Sequence, residues 1–438
     1  MLQKIRKKTL LRSVQMLCVL SAALLVWGCG GGGGGGDSDS YDTKSILSTT
    51  PIEGQTQNIL IDAPTLKSWV DKGYVNNSSD YSKPSVVIID RAASHIPGAQ
   101  KWGAVGVERY EGPILSGNMV LDGATMDAAM QAFGVTEDTT IVFSDGAQRV
   151  YFLFMYWGFP ADQLKVLNGG NAAWAAYGYD ELTSEVPDVE PSDLCVSSLG
   201  GVRDELRASL SEAIVGVRDA ELTPYITYSN TSNVTAETIK ETIRDSSRYV
   251  IFQGIMDGAV EDNFVLGLSK LANINGTDVS VYLDADEMEE FLEVGLGVDL
   301  AKPIMTYCRA GNLASMGFTP LYAVLGNEVD IMMYDGSWSQ WGSLTLQTEP
   351  PYVPGPQFAL PQGYEDWATE GLTNPIYYNY NSTTLLSEPD FDTTGVPYSP
   401  EDAGANTIEI EDEQYYENAQ SSDDGGAPVA GGGIDGGC

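Results

Sequence analysis

Near residue 300 an apolar run, "PIMTY", ends on Cys308 and passes through "RAGN" before a helical pattern begins. Cysteine is a strong nucleophile only as thiolate, so some influence must stabilise the anion. Histidine is the usual helper, but the chain holds a single one, His95, in a different part of the sequence. The local pattern offers another means. A loop between a strand and a helix turns successive backbone N–H groups, and the helix N-terminus, toward an anionic sulfur. Gly311 permits the backbone angles that such a cradle requires, and Arg309 adds a cation beside it. The candidate site is thus Cys308 as nucleophile, with the amides of Arg309, Ala310, Gly311, Asn312 and Leu313 around its sulfur. A buried cysteine merely closing a strand is the alternative, against which the flanking "YCRAGN" loop weighs.

The surrounding elements read as α/β. "SVVIID" (85–90), "TTIVFSD" (139–145) and "QLKVLNGG" (163–170) are near-continuous apolar runs, as buried parallel strands are. "TMDAAMQAFG" and "RVYFLFMYWGF" between them suit helices. The pattern then recurs: "MYWGFPADQLKVLNGGNAAW" (155–174) parallels "AVLGNEVDIMMYDGSWSQW" (323–341). Two tandem copies of one domain follow, spanning 49–190 and 195–350. Residues 351–438 form an extension rich in Pro, Tyr, Asn, Asp and Gly, whose acidic, glycine-rich end reads as mobile.

The 438 residues carry a formal charge of -38, and five of the basic residues (Lys4, Arg6, Lys7, Lys8, Arg12) sit at the N-terminus. Such a surface excludes nucleic acid as a partner and repels anions at long range, so a bound anion must be held by local geometry. The basic start, the apolar run from Val14 to Val26 and "VWGC" read as an export signal over 1–28, too short for a membrane span with the usual flanks. "LLVWGCGG" resembles a bacterial lipobox with Cys29 as the lipidated residue, and 29–48 as a glycine-rich tether. By resemblance to Gram-negative sorting rules, Gly30 favours the outer membrane of the cell envelope. Cys195, Cys308 and Cys438 remain as thiols, an odd number, and Cys195 could pair with Cys438. No metal or other cofactor is expected, since one histidine and no Cys-x-x-Cys leave little to ligate it.

"YCRAGNLAS" closely resembles the active-site loop of rhodanese-family sulfurtransferases, whose common form is Cys-Arg-x-Gly-x-Arg/Thr. "YDGSWSQWG" (334–342) resembles the family's closing motif, "LNGGNAAW" (167–174) its equivalent in a first domain, and "SHIPGA" (94–99) the Gly-His-Ile-Pro-Gly-Ala motif. The resemblance covers roughly residues 55–345. A cysteine-free first domain followed by a cysteine-bearing second is similar to thiosulfate and 3-mercaptopyruvate sulfurtransferases. The related Cys-x5-Arg loop of dual-specificity phosphatases needs arginine where Ala314 stands.

The resemblance implies that Cys308 attacks the outer sulfur of a small anionic donor, forms a persulfide, and passes the sulfur to cyanide or a thiol. Such splitting of one transfer into two is ordinary nucleophilic catalysis. Several positions depart from the family pattern. Leu313 replaces the loop's arginine or threonine. "YVIFQGI" (249–255) stands where the family has Asp-x-Arg, with Phe252 and Gly254 as counterparts, and "ANINGT" (272–277) replaces the His-Ile-Pro-Gly motif. In the first repeat Asp90, Arg91 and His95 are kept, but the loop "FSDGAQ" has Ser144 and Asp145 in place of the cysteine and is shorter. His95 reads as structural, and Trp338 and Trp341 as packing residues. These departures leave two further readings: a non-catalytic interaction module beside outer-membrane redox proteins, or a sulfur or selenium carrier.

Overall fold

The near-continuous apolar runs become the central strands of two parallel sheets. The computed structural model describes residues 47–111, 114–227, 254–256, 258–262, 267–341, 378–379 and 406–423. The export signal, Cys29, nearly all of the tether and most of the C-terminal extension lie outside them.

In the first repeat, β1 (Leu60–Ile61), β2 (Ser85–Asp90), β3 (Gln100–Lys101), β6 (Thr139–Phe143) and β7 (Leu164–Leu167) form one sheet in the order β1-β7-β6-β2-β3, all pairs parallel. Its strands are buried on both faces, which explains the absence of polar alternation in "SVVIID". Between β3 and β6 the chain makes an antiparallel hairpin, β4 (Val107–Glu111) and β5 (Ile114–Met119). The helices are α1 (Ala63–Asp71), α2 (Gly123–Ala132), α3 (Gln148–Tyr156) and α4 (Gly170–Ala176). Asp62 and Asp122 cap the first two by accepting the N–H groups of Thr65 and Thr125 at 2.9 Å.

The second repeat follows the same plan. After α5 (Leu210–Arg218), β8 (Thr223–Ile226), β10 (Val260–Glu261), β13 (Ile304–Tyr307) and β14 (Ile331–Met333) pair in parallel in the order β10-β8-β13-β14. A single parallel bridge from Arg207 to Met333 stands where β1 meets β7. The second hairpin is β11 (Ser269–Ile274) with β12 (Thr277–Tyr282). Helices α6 (Ala285–Glu290), α7 (Ser315–Leu325) and α8 (Ser337–Trp341) complete the repeat. A short strand β9 (Gly254–Ile255) pairs with β15 (Tyr378–Asn379).

Helix α3 is buried from Arg149 to Tyr156, as a helix apolar on all sides must be. It packs between the repeats, with Phe152 edge-on to Phe318 of α7 at 5.0 Å, and one continuous apolar core runs through both repeats.

Three expectations change. Tyr307 pairs with Ile226 as Phe143 pairs with Ile89, so the counterpart of the Asp90 strand is β8, with Thr227 in the place of Asp90. The assignment of that role to "YVIFQGI", with Phe252 and Gly254, is thereby overturned; 249–253 lie outside the described residues. "ANINGT" is the turn region of the second hairpin and matches β4–β5, not the His95 turn. The extension also contains a helix that its composition did not suggest, α9 (Thr407–Asp423), packed on the first repeat with Ile408 fully buried. Cys195 is disulfide-bonded, to a partner outside the described residues.

Candidate active site

Strand β13 carries Cys308 to the C-terminal end of the second sheet, where open α/β sheets place their reactive groups. The loop 308–314 then leads into α7. Gly311, at φ +87°, turns its N–H onto the sulfur at 3.1 Å. A methyl group there would lie 2.1 Å from the carbonyl oxygen of Asp335, so only glycine fits both the angle and the space. Of the amides expected around the sulfur, Gly311 makes this bond. The carbonyls of its neighbours fix the loop: Asn118 Nδ2 donates to Ala310 O at 2.7 Å, Ser315 Oγ to Asn312 O at 2.8 Å, and Thr227 Oγ1 to Leu313 O at 2.8 Å. Arg309 and Leu313 are half-buried at the loop's rim.

Behind the cysteine stands the closing motif. The backbone N–H of Cys308 donates to Ser337 Oγ at 3.1 Å, and Trp338 N–H donates to Cys308 O at 3.0 Å. Ser337 takes φ +51°, a left-handed conformation that a serine adopts at some cost and that the surrounding bonds must hold. Trp338 and Trp341 are buried, as packing residues are. Cys308 itself is 2% exposed. Its cover is the hairpin of the other repeat, through Asn118.

Buried charge locks that cover in place. Asp335 accepts from Val120 N–H at 2.8 Å and Arg207 Nε at 2.9 Å, and pairs with Arg149 at 3.4 Å. Burial alone would raise its carboxyl, but Arg207 and Arg149 outweigh that and hold it below the usual range. Arg207 also grips Glu111 of the hairpin with two bonds, 2.8 and 3.0 Å. Arg149 Nη2 donates to Asn118 O at 2.8 Å, completing the tie between α3, hairpin and loop. Helix α9 closes over the same hairpin: Arg109 pairs with Asp412 at 2.8 Å and with Glu411 at 3.0 Å, and Tyr156 Oη donates to Asp412 at 2.9 Å. Sequence reasoning missed Thr227, Asn118, Arg149 and Arg207, none of which lies in the loop motif. Asp335 was visible only as a letter of "YDGSW".

The first repeat holds a degenerate twin of this site. Its loop runs only from Ser144 to Ala147 before α3 starts. Ser144 Oγ donates to Asn171 Oδ1 at 3.1 Å, and Asn171 Nδ2 donates to Asp90 at 2.8 Å. Asn168 takes the place of Asp335 and accepts Tyr282 N–H from the second hairpin at 2.9 Å, as Asp335 accepts Val120 N–H from the first. His95 is wholly buried, its Nδ1 3.3 Å from Ile96 O and its backbone bridged to Thr183, in keeping with a structural role. Among the described residues no group of three or more His, Cys, Asp or Glu side chains is placed to hold a metal ion.

Two parallel-sheet repeats, a cysteine loop between strand and helix in the second and a shortened loop in the first define a tandem rhodanese fold. No family model matches the chain. It is 24% identical over 303 residues to the "Putative thiosulfate sulfurtransferase" of Haloferax volcanii, covering 61% of this chain and 96% of that protein. It is 26% identical over 269 residues to the "Sulfur carrier protein TtuD" of Thermus thermophilus, covering 57% and 83%. Among solved structures, an EanB variant with a cysteine persulfide, in a tetrahedral intermediate state with ergothioneine, aligns with a TM-score of 0.50 at 19% identity. That alignment covers 70% of this chain and 73% of EanB. In sequence and in fold the chain is thus similar to sulfurtransferases of the rhodanese family.

Proposed function

We propose that this sulfurtransferase works through a persulfide on Cys308, taking sulfane sulfur from thiosulfate or 3-mercaptopyruvate and passing it to a thiol or cyanide. The observation that carries the reading is the Gly311 N–H held 3.1 Å from Cys308 Sγ at the end of β13. With thiosulfate, the thiolate attacks the outer sulfur, an S–S bond forms, and the donor's own S–S bond breaks with its electron pair leaving on sulfite. The acceptor thiolate or cyanide then takes the outer sulfur and returns the Cys308 thiolate, so no external oxidant or reductant is needed. A donated hydrogen bond in a water-poor pocket stabilises charge on the terminal sulfur more than it would in water.

A second reading, a sulfur or selenium carrier, draws support from the cover over Cys308 and from the likeness to a sulfur carrier protein. One experiment separates the two. The protein from Asp37 onward is incubated with thiosulfate or mercaptopyruvate, and intact mass and thiocyanate formation are compared with those of Cys308→Ser. Added sulfur with cyanide turnover, both lost in the variant, is the expected result. Added sulfur without turnover favours the carrier, and neither leaves a non-catalytic interaction module.

The reading extends to place: an exported protein anchored through lipid on Cys29 to the outer membrane, near redox partners of the cell envelope. Its support is the leader sequence alone. Metabolic labelling with palmitate, lost in Cys29→Ala, is the expected outcome; label retained in that variant would refute the anchor.

A further inference from the structure

The twin site of the first repeat is not filled in. A cavity of about 270 Å³ lies at the C-terminal ends of β6 and β7, beneath the second hairpin, with Phe143, Asp145, Gln148, Asn168, Tyr282 and Thr319 in its wall. It occupies the position in the first sheet that Cys308 occupies in the second, the end at which α/β sheets bind ligands.

Its charge is opposite to that of the cradle. Asp145 is the only charged side chain among the lining residues. Its Oδ1 accepts one bond, from Asn171 N–H at 3.2 Å, and no cation among the described residues pairs with it. The carboxylate sits against Gly170, where a methyl group would lie 1.8 Å from Oδ1. In the second repeat the equivalent residue is Ser337, which has a side chain there. Burial first, and Asp90 second, push the Asp145 carboxyl up against the pull of that N–H. A partly buried carboxylate without a countercharge is costly and becomes favourable when a cation arrives. The rest of the wall combines aromatic and aliphatic side chains, Phe143, Val166, Leu167 and Tyr282, with neutral polar ones, Ser144, Gln148, Asn168, Ser280 and Thr319, and adds no second charge. Aromatic faces beside a carboxylate suit an organic cation better than a bare metal ion.

We propose that this cavity binds a small organic ammonium cation, its charge against Asp145 and its carbon substituents against Phe143 and Tyr282. The site reports to the catalytic loop through two residues. Gln148 begins α3 directly before Arg149, and Thr319 of α7 donates to Gln148 O at 3.4 Å. The ligand thus bears on α3 and α7, the helices that lead away from the two loops.

Choline and its neutral isostere 3,3-dimethylbutan-1-ol are titrated against the full chain by calorimetry. Choline should bind in the millimolar range or tighter, with the isostere weaker by about tenfold or more. Asp145→Asn, which removes an unpaired charge and should fold at least as well, is expected to erase that preference. Tyr282→Leu should weaken choline while leaving Asp145 in place. Binding should also weaken as acid protonates Asp145. Equal affinity for the two probes, an unchanged preference in Asp145→Asn, or no binding of choline at millimolar concentration would overturn the proposal.

Discussion

The loops 308–314 and 144–147 end equivalent strands, face equivalent hairpins and precede equivalent helices, yet only one keeps a nucleophile. The difference lies less in the cysteine than in how each hairpin is held. Over Cys308 the hairpin is tied by buried ion pairs, through Arg149, Arg207, Glu111 and Asp335. Over Asp145 the corresponding tie is a neutral amide, Asn168, bonded to Tyr282. Buried charge pairs are poor sources of net stability, but they are intolerant of misplacement. The cysteine-bearing half therefore has its geometry fixed by charge, while the twin is held by neutral bonds and retains a cavity.

Converting one tie into the other should have the largest effect. Asp335→Asn copies Asn168, keeps an oxygen for Val120, and leaves Arg149 and Arg207 with too little negative charge. A loss of ~3–5 kcal/mol in urea unfolding is expected. A loss below ~1 kcal/mol would mean that charge does not distinguish the two ties.

The next effect concerns α9, which among the described residues straps only the hairpin over Cys308. Burial pushes the Asp412 carboxyl up to about 6 despite Arg109. The unfolded chain titrates near the ordinary value, roughly 3.9, so between the two values the native state holds more protons. Stability should rise as pH falls from about 7 toward 4, by ~3 kcal/mol at most from this group. Hydrogen exchange of α9 should slow over that window, and Asp412→Asn should abolish its contribution. Exchange that quickens on acidification would reverse the sign.

Glycines test the loops themselves. Gly311→Ala meets Asp335 O and takes the amide off the sulfur, so sulfur transfer should fall by about 100-fold. Gly146→Ala in the twin loop, at φ +73° with its nearest contact at 3.3 Å, should cost about 1–2 kcal/mol of stability and leave transfer in place. The smallest effect is a null. Ser144→Cys in a Cys308→Ser background should gain no sulfur from thiosulfate, read by intact mass. A persulfide there would show that the longer loop is dispensable.

Much of this was legible in the sequence because it is local. "SVVIID" and "TTIVFSD" announce buried strands by composition alone, and "YCRAGN" announces a strand–loop–helix turn with its glycine at the required position. The shortened loop of the first repeat is also local, and the structure starts α3 directly after Ala147. What failed was non-local. "TPYI" is short and carries a proline, so in the sequence the more apolar "YVIFQGI" reads as the counterpart of the Asp90 strand. Only pairing with β13 identifies Thr227. Helix α9 is acidic on most sides and shows no broad apolar stripe. Its buried Ile408 and Asp412 and half-buried Tyr415 share one face, but that face is meaningful only once Arg109, Tyr156 and Asp127 are known to wait for it. Asn118, Arg149 and Arg207 reach the loop from distant segments in the same way.

Helix α9 also sets an order of events during synthesis. It is the last described element to leave the ribosome, whereas Arg109, whose charge it answers, emerges early. Until residue 412 has been made, Arg109 lacks its carboxylate partners and the hairpin over Cys308 lacks its strap. A chain released prematurely, or clipped before Thr407, would carry both repeats, the thiol and the ties through Arg149 and Arg207, but would leave Arg109 without its carboxylates. The C-terminal helix thus supplies the last tie to the cover over Cys308, one present only in a chain translated past residue 412.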